Sequence, residues 1–334
     1  MTSEVLIALE ALVLSGALVG ASVLYAKRAG HFDIPNHRSS HTLPTPRGAG
    51  IGFVLTAMIL GAGATVRIEP DFVNELVLVA ISLAVLSIVG WLDDRSSLSA
   101  RMRLAVHVAA SATVVIMVNR IAPLPGYANA AWLLLWGFWT VSSINIVNFM
   151  DGIDGMVGAQ ALVYGLYLYA FLPKGSLAGL FGLILAFASL GFLIWNWAPA
   201  KIFMGDVGSG PLGMMLVIAG ALAVSAGMQP ALVFLPLFPM FFDALATVML
   251  RLRRGERLTV AHRSHLYQRV AGGSAGHGVV SASYAAAAAV GAAVAVALQN
   301  ASGPVVLGGI LCYTGLIISV WIYFHRRFPV AHAS

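Results

Sequence analysis

The sequence holds one cysteine, Cys312, in 334 residues. A lone thiol excludes an internal disulfide and any cysteine-based metal cluster. Charge is scarce as well. Asp, Glu, Lys and Arg make up 10% of the chain, against roughly 25% in an ordinary soluble domain. That is too little polar surface to keep a helix bundle of this size dissolved. No long linker, no soluble domain and no repeat suggestive of a two-halved transporter interrupts residues 1–334, which read as one integral membrane domain. The opening MTSEV has no basic leader, and positive charge follows the first apolar run. That run is therefore expected to be a retained anchor and not a cleaved signal peptide.

In place of charge there is hydrocarbon. Hydrophobic residues make up 59% of the chain, in runs close to the about 20 residues a helix needs to cross a bilayer. An all-α, polytopic integral membrane protein is expected, with about eleven spans. They fall near 4–26, 48–66, 74–92, 104–119, 130–148, 156–172, 176–197, 211–227, 230–250, 278–298 and 304–324. The 35 glycines suit helices packed closely in lipid. Of 19 basic residues, 16 fall in one alternating set of connections: Lys27, Arg28, Arg38, Arg47, Arg95, Arg101, Arg103, Lys201, Arg251, Arg253, Arg254, Arg257, Arg263, Arg269, Arg326 and Arg327. The other set holds Arg67, Arg120 and Lys174. Basic loops stay in the cytoplasm, so the N-terminus is expected outside and the C-terminus inside. The net charge of +6 follows from this asymmetry and needs no nucleic acid to explain it.

The carboxylates divide in the same way. Glu4, Glu69, Asp71 and Glu75 fall on the outer side and Glu10 within the first span. Asp33, Asp93, Asp94, Asp151, Asp154, Asp206, Asp243 and Glu256 fall in inner loops or adjoining helix ends. Carboxylates at a membrane edge are costly and usually functional. Pairing with the inner cations accounts for Asp33 and Glu256. It does not account for Asp151 and Asp154, whose own loop has no Lys or Arg.

Four stretches carry polar chemistry. In NIVNFMDGIDG, residues 145–155, Asn145, Asn148, Asp151 and Asp154 are spaced by threes. On a helix such a row drifts only about 60° per step, and Gly152 and Gly155 free the backbone for close approach to a ligand. A capped helix junction is the plain alternative. In GWLDDRSSLSARMR, residues 90–103, Asp93 and Asp94 cannot point the same way, and Arg95, Arg101 and Arg103 suit phosphate. A favourable contact with the following helix dipole would also explain the pair. In NWAPAKIFMGDVGSGPLG, residues 196–213, Asp206 stands in an apparent glycine turn ahead of a span. Magnesium takes one or two protein carboxylates and completes its shell with phosphate and water; a simple Asp-Gly turn is the alternative. In RLRRGERLTVAHRSHLYQR, residues 251–269, His262 and His265 lack a third partner for zinc and read as hydrogen-bonding groups for a substrate. The arginines there are explained by topology and anionic lipid.

In this order, Asp93-Asp94, NIVNFMDGIDG, PAKIFMGDVGS and HRSH resemble the polyprenyl-phosphate N-acetylhexosamine-1-phosphate transferases across about residues 27–270. The resemblance implies that a membrane lipid phosphate such as undecaprenyl phosphate attacks a UDP-N-acetylamino sugar at the cytoplasmic face of a bacterial inner membrane, with UMP leaving. It implies magnesium, with manganese as an alternative, and is compatible with a homodimer. By motif position Asp206 corresponds to a magnesium ligand, joined by Asn148. Asp151 and Asp154 correspond to groups that engage the nucleotide and its diphosphate, and Phe203 to an aromatic that stacks on uracil. Asp93 and Asp94 correspond to the pair that handles the lipid phosphate, as base or nucleophile. Arg47, in HTLPTPRGAG at 41–50, is placed to meet phosphate. His262, Arg263 and His265 sit in the loop that reads the sugar.

One departure bears on the branch. The family often has HxHH or three consecutive histidines where Ser264 stands here. This points away from the peptidoglycan enzyme and toward an O-antigen or related initiator. Two other classes compete. An anionic-solute transporter would place ionisable groups near the bilayer midplane, where Asp243 is the exception to the one-sided pattern; Asp243→Asn is therefore expected to matter less than Asp206→Asn. A non-catalytic scaffold would have no need of Asp206.

Overall fold

The computed structural model describes residues 3–35, 43–257 and 262–330. Arg38, His41 and Thr42 of the first inner loop, and residues 258–261 ahead of HRSH, lie outside them. Among the described residues the regular structure is helical apart from one short strand pair. The long helices are α1 (Ser3–Ala29), α2 (Gly50–Ile68), α3 (Val73–Ser96), α4 (Ala100–Ile121), α5 (Tyr127–Met150), α6 (Met156–Phe171), α7 (Leu177–Asn196) and α8 (Asp206–Ser225). They continue through the one-turn α9 (Pro230–Val233), α10 (Phe238–Arg253), the short α11 (Leu266–Val270), α12 (Gly276–Leu298) and α13 (Gly303–Arg327). Among the described residues, 10 segments are long and apolar enough to span a membrane, and the 16-residue α6 is a shorter apolar helix. All eleven expected segments are thus helical. The protein is a multi-pass membrane protein.

Two boundaries differ from expectation for stated reasons. The span expected at 230–250 is broken into α9, a 3-10 turn at Leu235–Leu237, and α10. Pro230, Pro236 and Pro239 withhold backbone donors there. The span expected at 211–227 begins at Asp206 instead, so DVGSG is the first turn and a half of α8, and Gly205, at a φ of 73°, is its N-cap. Gly208 is a packing residue. A Cβ on Gly208 would lie 2.4 Å from the Cα of Gly50, and one on Gly90 would lie 2.2 Å from the carbonyl oxygen of Asp206. Backbones of α2, α3 and α8 therefore touch, which in lipid is how helices gain dispersion contacts and specificity.

α8 is the centre of the bundle: Val207 through Ala221 and Ala223 are all buried. Ser143 of α5 donates to the carbonyl of Gly213 at 2.8 Å, locking α5 against it. At the periphery α13 buries only Val306 and Tyr313; lipid is the natural cover for the remainder. At one end of the bundle Arg120 pairs with Glu75 at 2.6 Å, and Glu4 accepts from Tyr169 and from the Gly175 amide. The other acidic and basic loops converge at the opposite end.

Candidate active site

At that second end three loops meet around the start of α8. The loop before α2 is held by an antiparallel pair, Phe32–Asp33 with Thr45–Pro46. It then runs beside the FMGD loop: Phe203 N–H donates to Pro46 O at 2.9 Å, and Gly48 and Ala49 donate to Phe203 O at 3.1 and 3.0 Å. This zipper brings Arg47 to the carboxylates. Its guanidinium stands 2.7 Å from Asp94, 2.9 Å from Asp206 and 3.7 Å from Asp33. Burial works against the Arg47 charge, yet Asp94, Asp206, Asp33 and Asp151 together hold its pKa above the ordinary value.

The adjacent aspartates divide, as their spacing on α3 requires. Asp94 faces α8 and accepts the Asp206 N–H at 3.1 Å. Asp93 accepts from Arg103 and from the Leu98 amide, both at 2.6 Å, closing the turn between α3 and α4. From there it still reaches the Asp206 side chain. Asn148, in the last turn of α5, also reaches the Asp206 carboxylate and donates to Ser209 at 3.0 Å.

Asp151 follows α5 as its cap. It is half-buried, and burial above all raises its pKa well above the ordinary value, against the pull of Arg47 and with the push of Asp206, Asp94 and Asp154. Asp154 is turned elsewhere. Its carboxylate accepts from Ala200 N–H at 3.0 Å and lies 3.1 Å from His277 Nδ1, tying this loop to the FMGD loop and to α12. Nothing in the local sequence announced His277; it is an isolated imidazole at the head of an alanine-rich helix.

The HRSH segment joins from α10. His265 is buried, with its ring 5.0 Å from that of His262, 5.7 Å from Tyr267 and 6.2 Å from Phe149 of α5. Its Nδ1 is buried with no hydrogen-bond partner among the described residues. Burial, then His265 and Arg251, lower the His262 pKa to about 4, and burial lowers that of His265 as well. Both imidazoles are therefore neutral near pH 7. Arg263 is exposed beside them.

The donor set suits a hard divalent cation. Carboxyl groups of Asp33, Asp94, Asp151 and Asp206 share one arginine, more oxygen acceptors than a single guanidinium can pair. Among the described residues no three His, Cys, Asp or Glu side chains form a closed metal cage. Asp206 could give magnesium one carboxylate, with phosphates and water completing its shell; the Asn148 amide nitrogen donates to Ser209 here, and joining the ion would take its oxygen.

The chain is similar to known proteins. The profile of glycosyl transferase family 4 matches residues 76–225. An undecaprenyl-phosphate alpha-N-acetylglucosaminyl 1-phosphate transferase of Thermotoga maritima is 30% identical over 248 residues, 72% of each chain. A decaprenyl-phosphate N-acetylglucosaminephosphotransferase of Mycobacterium tuberculosis is 29% identical over 303 residues, 79% of this chain and 75% of the relative. A phospho-N-acetylmuramoyl-pentapeptide-transferase of Trichormus variabilis is 32% identical over 227 residues, 61% of this chain and 59% of the relative.

Proposed function

This chain belongs to glycosyl transferase family 4, and from that premise we propose that it transfers an N-acetylamino sugar 1-phosphate from its UDP ester to undecaprenyl phosphate. The products are an undecaprenyl-diphosphate sugar and UMP. N-Acetylglucosamine is the first sugar to try, since the Thermotoga and Mycobacterium relatives are named for it. The observation that carries the reading is the carboxylate group of Asp94, Asp151 and Asp206 about Arg47 at one end of a membrane bundle. A lipid phosphate and a soluble nucleotide can meet only at such an edge. In this reading the site faces the cytoplasm of a bacterial plasma membrane, and the product starts an O-antigen or related envelope glycan. Ser264, in the sugar-reading loop, favours that branch over the peptidoglycan enzyme.

Phosphoryl transfer rests on alignment and charge neutralisation. Asp206 and Asn148 would hold magnesium, which when bound neutralises diphosphate charge and favours ionised carboxylates. Arg47 holds Asp94 and Asp206 in register and offers its remaining donors to a phosphate oxygen. Asp93 and Arg103 present a charged edge to the lipid phosphate. That phosphate is largely ionised near pH 7, its second pKa being about 6, so the attack needs no strong base. Phe203 is the platform for uracil. Asp154 acts by holding the two substrate loops together, and His262, Arg263 and His265 meet the sugar. The lipid phosphate oxygen forms a bond to the phosphorus that bears the sugar. The phosphoanhydride to UMP breaks, and the electron pair leaves with UMP.

The test is the identity of the nucleotide. Purified protein given UDP-N-acetylglucosamine, undecaprenyl phosphate and Mg²⁺ should release UMP stoichiometrically, and added UMP should drive the exchange backwards. Release of UDP, or a lipid product with one phosphate, would mean attack at the sugar carbon and overturn the reading. A panel of UDP-sugars then ranks the donors, and a pentapeptide-bearing muramyl donor as the preferred one would select the peptidoglycan branch.

Topology is a separate expectation. A C-terminal fluorescent protein fusion should be bright and an alkaline phosphatase fusion inactive, because 16 of 19 basic residues share the face assigned to the cytoplasm. The opposite pair of results would put the site on the wrong side for a cytosolic nucleotide sugar.

A further inference from the structure

Asp243 has no exposed surface, sits in the second turn of α10, and belongs to none of the four polar stretches. A carboxylate inside a membrane helix is costly and marks a task. Among the buried hydroxyls of the bundle, Ser143 donates to one neighbour, the carbonyl of Gly213. Thr56 and Thr140 each donate to a carbonyl of their own helix. Asp243 instead gathers donors from three further elements. Its Oδ1 accepts the Leu266 amide at 3.0 Å and the Trp321 indole of α13 at 3.0 Å, with Thr247 at 3.4 Å. Its Oδ2 accepts the Tyr267 amide at 3.1 Å and the Tyr284 hydroxyl of α12 at 2.9 Å. Only a carboxylate offers two acceptor oxygens to so many donors.

Two of those donors are the backbone of the residues that follow His265. From Tyr267 the contact passes on to the substrate loop: its hydroxyl donates to Phe149 O at 2.8 Å, and a Cβ on Gly152 would lie 2.3 Å from that oxygen. Tyr267 is thus wedged between Asp243 and the segment bearing Asn148 and Asp151. A second chain of contacts closes around the same segment. Arg269 donates to Ser264 O at 3.0 Å, to His325 Nδ1 at 2.8 Å and to Phe328 O. The His325 ring stacks on Trp321 at 4.6 Å. The circuit returns through Trp321 to Asp243.

We propose that Asp243 is a positioning residue that fixes the His262–Tyr267 segment against the Asn148–Asp154 loop, with α13 as its outer brace, and thereby sets the grip on the nucleotide sugar. The kinetic part rests on the proposed transferase function; the positional part does not. Asp243→Asn puts an NH₂ group against donors, so at least one contact becomes a repulsion. In nanodiscs, the variant should raise the KM for UDP-N-acetylglucosamine by about fivefold or more and lower kcat by about tenfold, leaving the KM for undecaprenyl phosphate within about twofold. Amide exchange measured by mass spectrometry should speed up in peptides spanning 262–270 and stay unchanged in α2, α3 and α8. A double variant, Tyr284→Phe with Trp321→Phe, keeps the carboxylate, removes two anchors, and should move both readouts in the same direction by less. It decides the matter if Asp243→Asn does not fold. Unchanged exchange at 262–270 in a folded variant overturns the proposal. So does a fall in kcat matched by the loss of folded protein with both KM values unchanged. If the wild-type protein transfers no sugar phosphate, the transferase reading fails, and the exchange measurement alone decides whether Asp243 positions the loop.

Discussion

Asp206→Asn should lower turnover by about 10²-fold or more, the scale seen when a strong electrostatic contributor is removed from an active site. The variant should still fold. What fixes Asp206 in place is its backbone: its N–H is accepted by Asp94 at 3.1 Å, and its carbonyl abuts Gly90 of α3. The side chain contributes little to that packing. Its carboxylate faces Arg47 at 2.9 Å and lies within reach of Asn148, so an amide of equal size keeps the shape and loses the charge. Initial rates at saturating Mg²⁺, beside size-exclusion profiles of the two proteins, make the comparison. A monodisperse variant with near-normal turnover would remove Asp206 from any metal or phosphate role. It would also return the scaffold reading to contention.

Arg47→Ala should reduce kcat/KM by about 10²-fold, and Arg47→Lys should recover only part of it: Nη2 alone meets Asp94 and Asp206, and an ammonium in its place would leave neither Nη1 near Asp33 nor a planar fork for phosphate. Arg47 reaches Asp94, Asp206 and Asp33 with one side chain, and its loss leaves those carboxylates facing one another. The pH profile gives a sharper test. Burial already raises the Asp151 pKa, and Arg47 is what pulls it down. Without Arg47 the pKa rises further, the ionised form persists only at higher pH, and the acidic limb of kcat/KM should move upward. A limb that stays put or moves down would mean that Arg47 does not act on this carboxylate, whatever its effect on rate.

Much of this was legible before any coordinates. Apolar runs of near-spanning length marked all eleven helical segments, since a lipid-exposed backbone must satisfy its own hydrogen bonds and helices do so locally. The one-sided charge and the polar row at 145–154 marked where chemistry would gather. The glycines were harder to interpret. GDVGSG has the composition of a turn, and only the contacts of Gly208 with Gly50, and of Gly90 with Asp206, reveal a helix start pressed between two others. The partners of Asp243 were out of reach of the sequence for a related reason. Its donors come from residues 266, 267, 284 and 321, and a local window shows only a lone carboxylate in a greasy helix.

The sequence alone determined what is set by local composition: where the helical segments lie, which residues are charged, and how the basic residues divide between alternating connections. The tertiary structure decided which of those charges meet. Arg47 reaches Asp206, 159 residues away, because a strand-like zipper joins its loop to Phe203. Asp154 turns to Ala200 and His277, while Asp151 stays half-buried within the field of Arg47 and Asp206. Two aspartates three residues apart in one loop read alike in a sequence. The direction each side chain takes depends on donors brought in from α12 and from the FMGD loop, by packing that no local pattern encodes.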